Sequence, residues 1–308
     1  MPHQRERNAV HSQSRQATPG TIRFAIKLAW DGTDYQGFQS QPHGNTIQDQ
    51  IEARLKKMLK RPLRIFGWGR TDSGVHAQGA VITVDLTQEE VARFALARKE
   101  DESACTSNHS LLAAKTLHSA LKEFSCDGGL GSITARRVIP VPIDFDPRFS
   151  SVWKRYVYLI TWGTKSPFLN RFAWHVEQPL DVGKMTGAAA LLTGTHNFEW
   201  MSLYQEGELR DPVRTLSIEV QIIDAGPFGQ ETSMMKVLAT CDFFLYRMMR
   251  RIVGILISIG SGRANELQLA HCLTAHDAGT SCSIPSPLLN TAPAKGLCLD
   301  HIEYEILI

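Results

Sequence analysis

The sequence predicts an α+β fold with a largely antiparallel sheet flanked by helices. Strand-like alternation and helix-like periodicity are interspersed without regular β-α-β alternation, which argues against a doubly wound parallel sheet. A strand-helix-strand group occurs once in each half of the chain. The 308 residues are 43% apolar, enough to bury one large core or two ordinary ones.

Residues 22 to 30 alternate, with Ile22, Phe24, Ile26, Leu28 and Trp30 on one face, and read as a half-buried strand. The Gly- and Asp-rich loop DGTDYQGFQSQPHGN follows. A helix begins near Thr46, where Thr46 and Asp49 have capping spacing and Ile47, Ile51, Leu55 and Leu59 form an apolar stripe. Residues 64 to 68 and 79 to 86 read as strands, with GRTDSGVHA looped between them. The polar stretch from 87 to 110 reads as including an insertion. A helix is expected over 111–124, then a turn at Gly128, Gly129 and Gly131, then an extended run with several prolines over 133–150.

In the second half, residues 153 to 161 read as a strong strand and 182 to 192 as a helix ended by Gly194. A strand pair is expected around 216 to 244, a mostly buried helix over 245–260, a short helix over 266–274 and a last strand near 297–308. The expected organisation is a disordered tail over 1–21, an N-terminal α+β domain over 22–146 with the functional loop, and a C-terminal α+β domain over 147–308. Two related halves with the active-site cleft between them are expected, although no sequence repeat marks them.

Bulk properties exclude several classes. The longest apolar stretch, near 243 to 259, is interrupted by three arginines, which argues against a membrane span. The first twenty residues lack the apolar run of a secretory signal; their Arg and Ser content weakly resembles a transit peptide. The six cysteines, at 105, 126, 241, 272, 282 and 298, form no CxxC pair, no zinc spacing and no small disulfide framework. They read as reduced, structural cysteines of an intracellular protein. The cytoplasm is the expected compartment, with nucleus and organelle open.

Net charge is +2, so the whole chain does not announce a nucleic-acid binder. Its distribution does more. Residues 1 to 70 carry twelve basic and five acidic side chains, among them Arg54, Lys56, Lys57, Lys60, Arg61 and Arg64. A second basic cluster is Arg247, Arg250, Arg251 and Arg263. Such patches attract a phosphate backbone, and equally describe a solvated helix face.

Three features could carry chemistry. Asp72 sits among small residues in Gly69-Arg70-Thr71-Asp72-Ser73-Gly74-Val75-His76-Ala77, where Gly74 lets the backbone bend and a ligand approach. A carboxylate there can equally cap a turn. The helix FFLYRMMRRIVGILISIG is apolar on nearly every face, so Arg247 and either Arg250 or Arg251 must point somewhere dry or toward a cleft. A buried guanidinium needs a carboxylate or phosphate partner. Asp72 is an attractive one; arginines on a solvent stripe are the plainer alternative. Tyr156 and Tyr158 share one face of their strand, and a tyrosine there either stacks beside a base or packs in the core.

These segments resemble one family. GRTDSGVHA resembles the RTD-x-GVHA motif of TruA-type pseudouridine synthases. WDGTDYQGFQSQPHGNTIQDQIE, FDPRFSSVWKRYVYLI, GTHNF, FLYRMMRRIVGIL and APAKGLCL resemble that family's further motifs, in family order, over about residues 24 to 300. The match departs at Trp30, where the family often has Tyr, and at Arg247 and Arg251, where His and Asn are usual. The resemblance implies that Asp72 is the catalytic carboxylate and that Tyr156 stacks beside the target base. It implies that Arg250 pairs with Asp72 and that Arg70 holds the site open while the nucleotide is flipped. It also implies a homodimer that works without a cofactor or metal and isomerises uridine in the anticodon arm of tRNA, at positions 38 to 40.

The chemistry is consistent with those residue types. A C–N glycosidic bond breaks, the uracil turns and a C–C bond forms, with no net water or redox change. A carboxylate can act there as nucleophile or base, and an opposing arginine favours its ionised form. Unstacking the base costs a few kcal/mol, and aromatic stacking returns roughly 1–3 kcal/mol. Two alternatives remain at this stage. One is a tRNA-binding chaperone without catalysis. The other is a hydrolase using His76 or His196 with a serine, although no G-x-S-x-G occurs.

Overall fold

The computed structural model describes residues 20–42, 44–97, 109–122, 132–202, 211–229 and 231–308. Residues 1–19 of the expected disordered tail, the glycine turn at 128–131 and residues 98–108 of the stretch expected as an insertion lie outside them. The described residues hold ten strands and six helices, an α+β fold as the sequence predicts. The chain divides into two compact units. The first comprises 1–73, 77–152 and 302–308; the second comprises 74–76 and 153–301.

In the first unit, β1 (Thr21–Trp30) lies between β4 (Ile133–Val141) and β3 (His76–Thr87), antiparallel to both, and β2 (Phe66–Trp68) pairs with β3. α1 (Ile47–Leu59) starts where expected. Thr46 Oγ1 accepts from Asp49 N at 3.2 Å and donates to its carboxylate at 2.6 Å. Ile47, Ile51, Leu55 and Leu59 are all buried.

β1 departs from the expected half-buried strand, because both of its faces are covered. Phe24, Ile26 and Leu28 are buried on one, and Arg23, Ala25 and Ala29 on the other. Arg23 is tolerated because Asp85 on the paired strand receives its guanidinium through Nε at 2.7 Å and Nη2 at 2.9 Å, and Phe145 O takes Nη1 at 3.0 Å. That hydrogen bond, working against burial, raises the arginine's pKa.

The stretch after β3 is also more ordered than its polarity suggests. Residues Gln88–Leu96 form α2, opened by a capping box in which Thr87 and Glu90 satisfy each other's backbone amides. Glu90, Val91, Phe94 and Ala95 are buried, and α2 packs against α3 (His109–Ala120).

In the second unit the strand order is β10 (Leu297–Tyr304), β5 (Ser151–Gly163), β9 (Thr232–Cys241), β8 (Val213–Ile223) and β7 (Gly194–Asn197). The β5–β9, β9–β8 and β8–β7 pairs are antiparallel; β6 (Trp174–His175) adds one short parallel pair to β5. The last residues of β10, Ile302–Tyr304, belong to the first unit.

The core of the second unit is built around α5 (Met248–Gly260), where Ile252, Val253, Ile255, Leu256, Ile257 and Ile259 are wholly buried. α4 (Val182–Leu192) packs against α5, and α6 (Glu266–Asp277) against α4. α5 begins three residues later than expected, because Arg247 adopts a left-handed conformation with φ 58° and the turn before it is closed by Met248 N donating to Leu245 O. α4 ends at Leu192 with Thr193 as its cap, and Gly194 with φ 125° opens β7. Among the described residues no helix is long and apolar enough to cross a membrane.

Candidate active site

Asp72 lies half-buried in the loop joining β2 to β3, with Arg70 exposed two residues earlier. Glycines in left-handed conformations bracket the loop, Gly69 with φ 101° and Gly74 with φ 77°. Its first part is fastened to the first unit. Phe38 N donates to Thr71 O at 3.0 Å, and Ser73 Oγ donates to Tyr35 O at 3.2 Å. Gly37 passes so close that a Cβ there would stand 2.8 Å from Thr71 O.

The segment bearing Gly37 is itself held by the start of α1. Ile47 N donates to Gly37 O at 3.1 Å and Gln48 N to Phe38 O at 2.9 Å. The long Gly- and Asp-rich loop is therefore a bracket between the helix terminus and the backbone of Thr71 and Asp72. Its ring Phe38 lies over Gly67 of β2, where a side chain would collide with it.

The chain passes into the second unit at Gly74. Val75 is buried in that unit's core, and Gly74 comes against Ala294. His76 Nε2 lies 3.1 Å from both Arg171 O and Lys295 O, so a proton on Nε2 is shared between two carbonyls. His76 is thus a structural fastener.

Ala294 and Lys295 belong to a strap, Ala292 to Gly296, which holds the other residues of interest in this unit. Arg250 Nε donates to Ala292 O at 2.7 Å, and Ala292 N donates back to Arg250 O at 3.0 Å. Tyr158 is wholly buried and donates its hydroxyl to Pro293 O at 2.7 Å. Its burial pushes the phenol pKa up, with the Arg250 charge opposing. Gly296 lies on its ring, where a Cβ would be 2.5 Å from a ring carbon.

Tyr156, two residues earlier on β5, is only half-buried and meets Phe244 edge-on at 4.9 Å between centroids. The two tyrosines that the sequence left equivalent are therefore distinct: Tyr158 is core, and Tyr156 keeps an accessible ring. His196 is bound to Asp277, Nδ1 to Oδ2 at 2.7 Å, while Asn197 N donates to the other carboxylate oxygen at 2.7 Å. Burial disfavours the charged Asp277, but these donors outweigh it and hold its carboxyl below the usual range. This ties β7 to α6.

The family described as tRNA pseudouridine synthase matches this chain over residues 26–110 and 188–305. Relatives match nearly end to end. The tRNA pseudouridine synthase A of Moorella thermoacetica is 35% identical over 287 residues, covering 91% of this chain and 98% of that protein. The protein of the same name from Brevibacillus brevis is 34% identical over 291 residues, covering 92% and 99%. That from Bordetella petrii is 34% identical over 286 residues, covering 92% and 91%. The chain belongs to the tRNA pseudouridine synthase family. It is an RNA pseudouridine synthase, an isomerase.

Within the synthase, Asp72 and Arg70 share one loop, and Arg250 and Tyr158 share one strap. Sequence reading singled out neither Gly37 nor the strap. Both act through backbone contacts, and only the APAKG resemblance signalled the strap. Among the described residues no group of three His, Cys, Asp or Glu side chains is placed to hold a metal.

Proposed function

We propose that this synthase isomerises uridine to pseudouridine in the anticodon arm of tRNA, at positions 38 to 40, with Asp72 as its catalytic carboxylate. The observation that carries the reading is how tightly the Asp72 loop is fastened on either side of that residue. Thr71 and Ser73 are bound to the Tyr35–Phe38 segment. Gly74 to His76 are bound to the strap that also holds Arg250. A carboxylate that only capped a turn would need no such bracing, whereas one reacting with a flipped nucleotide needs its position set to a fraction of an ångström.

The remaining roles follow. Arg250 pairs with Asp72 and favours its ionised form. What supports Arg250 over its neighbour is that no carboxylate acts on Arg251 among the described residues. Tyr156 offers its half-buried ring to the target uracil, and stacking worth roughly 1–3 kcal/mol offsets the unstacking of the base. Arg70, exposed on the same loop as Asp72, holds the site open behind the flipped nucleotide. Asp72 acts as nucleophile or base while the uracil is released from nitrogen, turned and rejoined through carbon. Every atom of substrate is retained, so the step needs no water, oxidant or cofactor. We place the reaction in the cytoplasm and assign it to a homodimer.

Against the hydrolase alternative, His76 has its Nε2 held between two carbonyls, and no G-x-S-x-G motif supplies a serine nucleophile. The test is carbodiimide treatment and primer extension on unmodified tRNA transcripts after incubation with the protein. New stops reporting pseudouridine at 38 to 40 support the assignment. Pseudouridine confined to another arm, or uracil released from the chain, would overturn it.

A further inference from the structure

Arg251 is out of place by the standards of the rest of the chain. Its side chain lies in the first turn of α5 with only 8% of the residue exposed. Its Nε is buried and has no hydrogen-bond partner among the described residues. That buried orphan is Nε alone, so the terminal nitrogens keep contact with solvent.

The other buried arginines each have a partner for at least part of the guanidinium. Arg23 has the carboxylate of Asp85 on two of its nitrogens. Arg214 also has a buried Nε without a hydrogen-bond partner, but its Nη1 donates to Val213 O and its guanidinium lies over the Phe243 ring, whereas Arg251 has neither kind of contact among the described residues. For Arg251 the charge that acts is Arg247, one turn earlier and of the same sign; burial first and that repulsion second push its pKa down. The turn adds to the imbalance. α5 has no acidic residue in its first turn and no side chain capping its amides, so the positive end of the helix dipole also bears on Arg251. Burying an uncompensated guanidinium is costly, and a group that costs folding energy without a partner is explained by a ligand that supplies one.

We infer that Arg251 and Arg247 form a subsite for one phosphate group of the substrate RNA backbone. Arg251 offers its terminal nitrogens from the floor, in the forked geometry that suits phosphate oxygens. Arg247 is exposed, stacked beside the Tyr246 ring at 5.1 Å, and reaches the same phosphate from the rim. An RNA phosphate is the fitting anion because the chain belongs to a family acting on tRNA, where every nucleotide carries one. Arg250 lies in the same turn, so the phosphate belongs to a nucleotide near the one that reacts. This inference rests on the RNA substrate of the proposed function.

The test is equilibrium binding of an unmodified tRNA transcript to the full chain, measured from about 50 to 200 mM salt. Arg251→Met and Arg247→Gln are each expected to weaken binding roughly tenfold at low salt, the scale of a charged hydrogen bond. Each should lower the slope of log affinity on log salt by about 1. Arg251→Met should melt no lower than the wild type without RNA, because it removes an unpaired buried charge. If that variant fails to fold, Arg247→Gln, altered at an exposed side chain, decides alone. Unchanged affinity and slope would overturn the subsite. So would inorganic phosphate stabilising the wild type but not Arg251→Met while tRNA binding stays unaltered, since the site would then take a free anion. Pseudouridine formation is a separate readout: salt-dependent binding lost in the variants, with no isomerisation by the wild type, would sink the proposed reaction and leave the subsite standing.

Discussion

Gly37 and Thr71 touch through their backbones. A Cβ on Gly37 would stand 2.8 Å from Thr71 O and 3.3 Å from the carbonyl carbon of Asp72, and Gly37 itself has φ 89°. Both neighbours are main chain, so neither can swing aside, and the left-handed conformation penalises any side chain as well. Gly37→Ala must displace the loop that carries Asp72. Displacements of about 1 Å near reacting groups cost on the order of 100-fold in rate. The expected outcome is a large loss of kcat with tRNA binding retained, checked by single-turnover pseudouridine formation beside a binding titration.

Tyr156 and Tyr158 should separate under mutation. Tyr156→Ala should lose roughly 1–3 kcal/mol of stacking, while Tyr156→Phe retains it. Tyr158→Phe strips Pro293 O of its donor and should lower stability by about 1 kcal/mol. Thermal melting and rates on tRNA distinguish the two patterns. A Tyr156→Ala variant as active as the wild type would contradict the stacking role.

Glu90 gives a stability effect with a defined pH direction. Burial works against its charge, but the Arg61 guanidinium at 2.7 and 2.9 Å and the Thr87 amide at 2.8 Å prevail and hold its pKa below the ordinary value near 4.5. A carboxyl depressed in this way contributes stability that is complete above the unfolded pKa and is lost as pH falls through the folded one. Glu90→Gln should therefore be less stable than the wild type at pH 7, with the gap narrowing below about pH 4.5. Urea midpoints at pH 7 and in that acid range check the sign.

Much of the fold is legible in the sequence where local and global signals agree. Thr46 caps α1 because a hydroxyl three residues before Asp49 has a local partner, and the buried stripe of that helix repeats with the helical period. The second face of β1 is not legible, because Arg23 reads as solvent-facing until Asp85, 62 residues away, is placed beside it. The helix after β3 was hidden by composition, although the Thr87–Glu90 capping box is visible in retrospect. At the site, the Asp72 loop and the arginine-bearing helix stand out from their residue types. The left-handed Arg247 that delays α5, the close approach of Gly37 and the strap over Tyr158 do not, since each depends on backbone positions set by distant segments.

The central claim is that Asp72 carries the chemistry. Asp72→Asn preserves size and removes the charge, so it separates reaction from binding. The measurement is pseudouridine formed in a tRNA transcript under single-turnover conditions, with binding of the same transcript recorded in parallel. The account predicts that the variant binds tRNA and forms no pseudouridine at 38 to 40 over times in which the wild type completes the reaction. Isomerisation by Asp72→Asn at the wild-type rate would contradict it.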